Sequence, residues 1–160
     1  MQHVARAAGC SRGTVYRYFP TRDALRRAYV EREAARIGRR LAESVGAIDD
    51  PEELLLRSMT GVLRDVRAHP NLRAWFTAEA SGTTATLAFG SPATRDLTAG
   101  FLDRLLAHAE ATDRLRPGLD RRAAGEWLVR TIVSLLAVPA RRERELLRTC
   151  LVPVFLGPPA

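Results

Sequence analysis

Apolar positions recur every three or four residues along nearly the whole chain, and strand-type alternation is scarce. That periodicity predicts an all-α fold. The clearest stripe is Leu55, Met59, Val62 and Val66, which predicts a helix over residues 51–68 with Pro51 in its first turn. Two further stripes, Ala124, Trp127, Leu128, Thr131, Ile132 and Leu135, then Leu147, Cys150, Leu151 and Val154, predict helices over 121–138 and 142–156. Pro153 should kink or end the last of these. Another helix is expected over 94–111. Pro70 closes off the segment before "NLRAWFTAEA", and "SGTTATLAFGSP", residues 81–92, reads as a loop, with part helix as the alternative.

The first 46 residues follow a different plan. Residues 2–8 form one short helix that ends at Gly9, a natural left-handed stop. Ser11 caps a second helix over 12–19, which Pro20 terminates, and Thr21 caps a third, longer helix reaching about residue 45. On the second helix Val15 and Phe19 share one face, expected to pack against Val4 and Ala8. Gly13, Thr14, Tyr16 and Arg17 lie on the other side. Two short helices joined by a glycine turn make a helix-turn-helix, whose second helix has the size and polarity to enter a DNA major groove.

Charge sharpens this expectation. Residues 1–40 hold ten arginines and three acids, a local excess of +7 that equals the formal charge of the whole 160-residue chain. The other 120 residues balance. A basic module joined to a neutral one is the footprint of polyanion binding. Arg12, near the helix start, is placed to reach base edges. The hydroxyls of Thr14, Tyr16 and Tyr18 suit phosphate oxygens, and Gly13 lets the backbone approach closely. Arg22 adds charge at the next helix start. A bare arginine run would otherwise be a solvated helix face; the glycine turn and the Tyr-x-Tyr spacing argue for more.

The run "VARAAGCSRGTVYRYFPTRDAL" resembles the DNA-binding signature of the tetracycline-repressor (TetR) family. The likeness rests on the Ala-rich helix, the glycine turn, Ser-x-Gly-Thr, the Tyr-x-Tyr-Phe ending and the capped Arg-Asp-Ala-Leu, and covers about 22 residues. It implies a ligand-responsive transcriptional regulator, a repressor that leaves its operator when a small molecule enters a second helical domain. It also implies a homodimer on a near-palindromic operator. The expected division is 1–46 for DNA binding and 47–160 for ligand binding and dimerisation.

By the same resemblance the last two long helices should pair across a dimer axis through Leu128, Ile132, Leu135, Leu147, Leu151 and Val154. Candidate pocket residues are Met59, Leu63, Trp75, Phe76, Phe89, Phe101, Leu105 and Trp127, apolar and aromatic as small-molecule sites are. The family carries one more helix ahead of this signature, and here Met1 falls inside what should be its second helix. Either Met1 stands in for an upstream start, or the protein is a truncation. A truncated form would be a helical dimeric module that binds a small molecule or a protein without reading DNA.

Other chemistry finds little support. His3, His69 and His108 are dispersed, Cys10 and Cys150 have no zinc-ligand spacing, and no metal or cofactor is expected. "GCSRG" superficially resembles a nucleophile elbow but lacks the strand such a turn requires, so no enzyme is expected. Apolar residues make up 46% of the chain and charged residues 27%, ordinary for a globular protein. No run approaches the ~20 apolar residues that span a bilayer. No signal sequence is visible, and two distant cysteines fit a reduced, cytoplasmic setting.

Overall fold

The computed structural model describes residues 1–73, 76, 86 and 89–158. It is all-α. The elements are α1 (Gln2–Ala7), α2 (Arg12–Tyr18), α3 (Arg22–Val45), α4 (Pro51–Ala68), α5 (Pro70–Arg73), α6 (Pro92–Ala111), α7 (Arg121–Ala137), α8 (Glu143–Leu146), a π-helical turn (Leu147–Leu151) and α9 (Val152–Phe155). Among the described residues, β pairing is confined to one isolated bridge between Leu115 and Leu156.

Each long helix starts on a side-chain cap. Thr21 Oγ1 accepts from Ala24 N at 3.0 Å and Asp50 Oδ2 from Glu53 N at 2.7 Å. Ser91 Oγ takes Thr94 N, and Asp120 Oδ1 takes both Arg122 N and Ala123 N. These contacts satisfy amides that have no intrahelical partner. The Ser91 cap moves the start of α6 two residues ahead of the expected 94.

Helix α4 is the centre of the molecule. It packs against α3, α6, α7 and the C-terminal helical segment. Being surrounded, it buries more than the single stripe expected: Leu54, Leu55, Leu56, Met59, Leu63 and Val66 are all buried, while Val62 is half-buried. Phe155, Leu105 and Leu147 close the core around it. Arg104 of α6 donates to the carbonyls of Val45, Gly46 and Ile48, tying off the end of α3. Arg67 of α4 holds Glu143 and the Leu135 carbonyl, fastening α8 and α7 to the core.

The last helix is not the continuous one expected over 142–156. Proline in a helix interior removes a donor and crowds the carbonyl four residues back. The chain meets Pro153 by widening into the π-helical turn just before it and then completing one turn of α-helix. The expected loop over 81–92 and the candidate Trp75 lie largely or wholly outside the described residues.

Candidate nucleic-acid interface and interior cavity

Helices α1 and α2 pack on each other through Ala5 and Val15, the buried residues of each. The expected partners Val4 and Ala8 are both exposed, so the contact is rotated by one residue along α1. The turn explains the rotation. Gly9 sits at φ +63°, Cys10 N–H donates to the Ala5 carbonyl at 3.0 Å, and Gly9 N–H donates to that of Arg6 at 3.2 Å. This double closure requires a left-handed residue at position 9 and aims the chain so that Ala5 faces α2.

Ser11 Oγ then accepts from Thr14 N at 3.0 Å and lies 2.9 Å from Thr14 Oγ1, so one hydroxyl pair fixes the start of α2. Val15 is buried and Phe19 half-buried on the inner face. Arg12, Gly13, Tyr16, Arg17, Tyr18 and Arg22 are exposed, and Thr14 is half-buried. The Arg17 guanidinium lies 5.4 Å from the Tyr18 ring centroid, a cation–π contact that orders the charge on the outer face.

Arg12, Arg17 and Arg22 make no ion pair among the described residues. Further along, Arg26 pairs with Asp23, and Arg32 and Arg36 both pair with Glu33. Arg6, Arg27, Arg39 and Arg40 likewise have no ion pair among the described residues, so the uncompensated charge runs along α1, α2 and α3, with Arg12, Arg17 and Arg22 on and beside α2. Buried Glu33 ties down the next stretch: burial would raise its pKa, but hydrogen bonds from Arg36 and Arg32 outweigh this and hold it below the usual carboxylate range.

Residues 1–29 match the model of the bacterial regulatory proteins of the tetR family. Over 145 residues the chain is 42% identical to an HTH-type transcriptional regulator of Mycobacterium tuberculosis, described there as uncharacterized and found alike in two strains; the alignment covers 91% of this chain and 68% of the relative. This chain belongs to the TetR family of transcriptional regulators. No solved structure matches it.

The TetR-family chain also holds a partly open apolar cavity of about 150 Å3 among α3, α4, α6 and α7. Three of the candidate pocket residues, Met59, Phe76 and Phe101, line it. Leu63 and Leu105 do not: they are sealed in the core around α4, at 1% and 0% exposure. Phe89 lies under the guanidinium of Arg130 at 5.0 Å and lines an outer groove. Trp127 points outward, 48% exposed, over a separate surface groove shared with Ser134, Leu146 and Cys150.

Four residues expected at a dimer face, Leu128, Leu135, Leu147 and Leu151, are buried within the single chain. Leu128 and the half-buried Ile132 line the cavity instead, and Val154 is half-buried. The exposed apolar positions on this side are their neighbours Trp127, Val138 and Leu146. Residue 127 lies about 100° around α7 from residue 128, so a one-residue difference in facing exchanges core for surface.

Sequence reasoning missed Ser58, Ile37 and Leu97 of the cavity wall. Ser58 was legible in principle, since it falls four residues after Leu54 and four before Val62, on an apolar face. Among the described residues no group of three or more His, Cys, Asp or Glu is placed to hold a metal, and no helix is long and apolar enough to cross a membrane.

Proposed function

We propose that this regulator is a repressor that binds a near-palindromic operator as a homodimer and releases it when a small molecule enters the interior cavity. Residues 1–46 read DNA and residues 47–160 bind the effector and pair the subunits. Helix α3 joins the two parts, because its Ile37 and Leu41 line the cavity while its N-terminus follows the helix-turn-helix.

The observation that carries this reading is the exposed face of α2. Arg12, Tyr16, Arg17 and Tyr18 project from a short, capped helix with no acidic partner, beside Arg22 at the start of α3. Guanidiniums left free of acidic partners, next to phenols, suit a phosphate backbone and base edges. Two copies related by a two-fold axis would place two such helices in successive major grooves.

Binding-site selection with the full-length protein tests the proposal. A single near-palindromic sequence should emerge, its binding should fall steeply with salt, and Tyr16→Ala and Arg17→Ala should weaken it with helical content unchanged. Binding without sequence preference at every salt concentration would overturn it.

A further inference from the structure

We infer that the effector is a compact, uncharged, mainly apolar molecule with one hydrogen-bonding oxygen, of about the size of phenol. This rests on the proposal above that the interior cavity is the effector site, and it names the chemistry that site accepts.

Size comes first. The cavity measures about 150 Å3, about the volume of an apolar cavity that takes up benzene. A single ring or a short branched chain fills it.

Charge is the second restriction. None of the described lining residues is ionisable; apart from Ser58, Thr94 and Thr98 all are apolar. An ion placed here would lose its hydration with no opposite charge to replace it, so carboxylates and ammonium groups are rejected.

One polar group of the wall is both buried and without a partner. Ser58 is 3% exposed, and its Oγ has no hydrogen-bond partner in the structure. Thr98 differs, since its hydroxyl already donates to the Thr94 carbonyl at 2.8 Å. A buried hydroxyl without a partner is uncommon and uncompensated. A single water would satisfy it poorly, because a buried water needs two to four polar partners and the surrounding wall is mostly apolar. A ligand hydroxyl can both accept from and donate to Ser58 while its hydrocarbon body meets Met59, Phe101 and Ile132.

Titration calorimetry of the full-length protein with phenol, benzene and benzoate tests the inference. Phenol should bind more tightly than benzene, and benzoate should not bind. Ser58→Ala should weaken phenol about fivefold to tenfold, the worth of one hydrogen bond, and leave benzene unchanged. Ala34→Leu, which extends a side chain of the cavity wall into the space, should abolish both, with circular dichroism confirming that it folds.

If benzoate binds as tightly as phenol, or phenol does not bind, or Ser58→Ala affects phenol and benzene alike, the assigned ligand chemistry is wrong. Should Ala34→Leu nevertheless block phenol or benzene in such a case, the cavity stands as a site and only its chemistry is overturned. If Ala34→Leu leaves phenol and benzene binding untouched, the molecules bind elsewhere, and the reading of the cavity as the effector site fails with it.

Discussion

A Cβ placed on Gly38 of α3 would stand 2.7 Å from Leu97 Cδ1 of α6, so Leu97 occupies space that any other residue at position 38 would claim. Leu97 also lines the cavity. The obstacle is the far end of a flexible side chain with open space beside it. Gly38→Ala should therefore rotate Leu97 into the cavity. Alanine gains about 0.5–1 kcal/mol over glycine inside a helix, and the displaced leucine costs a comparable amount. The expected outcome is unfolding free energy within about 1 kcal/mol of the parent by urea titration, with phenol binding clearly weakened in calorimetry.

The arginines around α2 should divide by role. Arg12→Ala should cost about 1–3 kcal/mol of operator affinity and relax preference at one base pair, as loss of a base contact does. Arg22→Ala, at the start of α3, should weaken all sequences about equally and reduce the slope of log affinity against log salt by about 1, as loss of one phosphate contact does. Fluorescence anisotropy on the selected operator and on single-position variants across a salt series separates the two. Identical behaviour of both variants would remove the distinction.

What was legible in the sequence was local. Gly9, Ser11, Thr21 and Asp50-Pro51 act on neighbouring amides, so α2, α3 and α4 begin where the sequence puts them. Facing was not legible, because it depends on what surrounds a helix. Leu54, Leu55 and Leu56 are consecutive and all fully buried, which no single stripe foretells. Leu63 and Leu105 have the apolar character of pocket residues, yet fill the core. The π-helical turn before Pro153 was partly legible: the proline announces a break, but whether the helix ends or widens depends on Leu147 and Leu151 staying in the core.

Acid should loosen the C-terminal helices. Glu143 is held below the usual carboxylate range by hydrogen bonds from Arg67, which outweigh its partial burial. Glu53 is lowered likewise by Arg57 and, after a burial effect of opposite sign, by Arg144. A carboxylate with a depressed folded pKa contributes stability that is fully present above its unfolded value of about 4.3 and is lost as pH falls through the folded one. Stability from these pairs should thus be level from pH 5 to pH 8, in about the range above the unfolded carboxylate values, and decline below. Glu143→Gln should cost about 1–2 kcal/mol at neutral pH, between the limits for exposed and buried pairs. That difference should shrink at about pH 3, where the parent glutamate is also losing its charge. An equal difference at both pH values, measured by denaturant unfolding, would deny the ion pair this role.

Subunit pairing, if it uses the α7 and α8 side, must use what that side exposes. Trp127 is 48% exposed, Val138 74% and Leu146 42%, and the groove between Trp127 and Leu146 is bordered by Arg130, which pairs with Glu126. A stable interface needs about 800 Å2 from each partner, with aromatic anchors near its centre. Trp127 is the one exposed tryptophan among the described residues. Trp127→Glu places two like charges near a two-fold axis and should give monomers in sedimentation equilibrium, with melting of the isolated subunit unchanged. Leu128→Ala, one position along, should do the reverse: it opens the core and costs about 2–4 kcal/mol of stability, yet leaves the folded protein dimeric. Loss of the dimer on Leu128→Ala but not on Trp127→Glu would place the interface elsewhere. Because both half-sites must be held together, the monomeric Trp127→Glu protein should also lose most of its operator affinity while retaining weak binding to a single half-site.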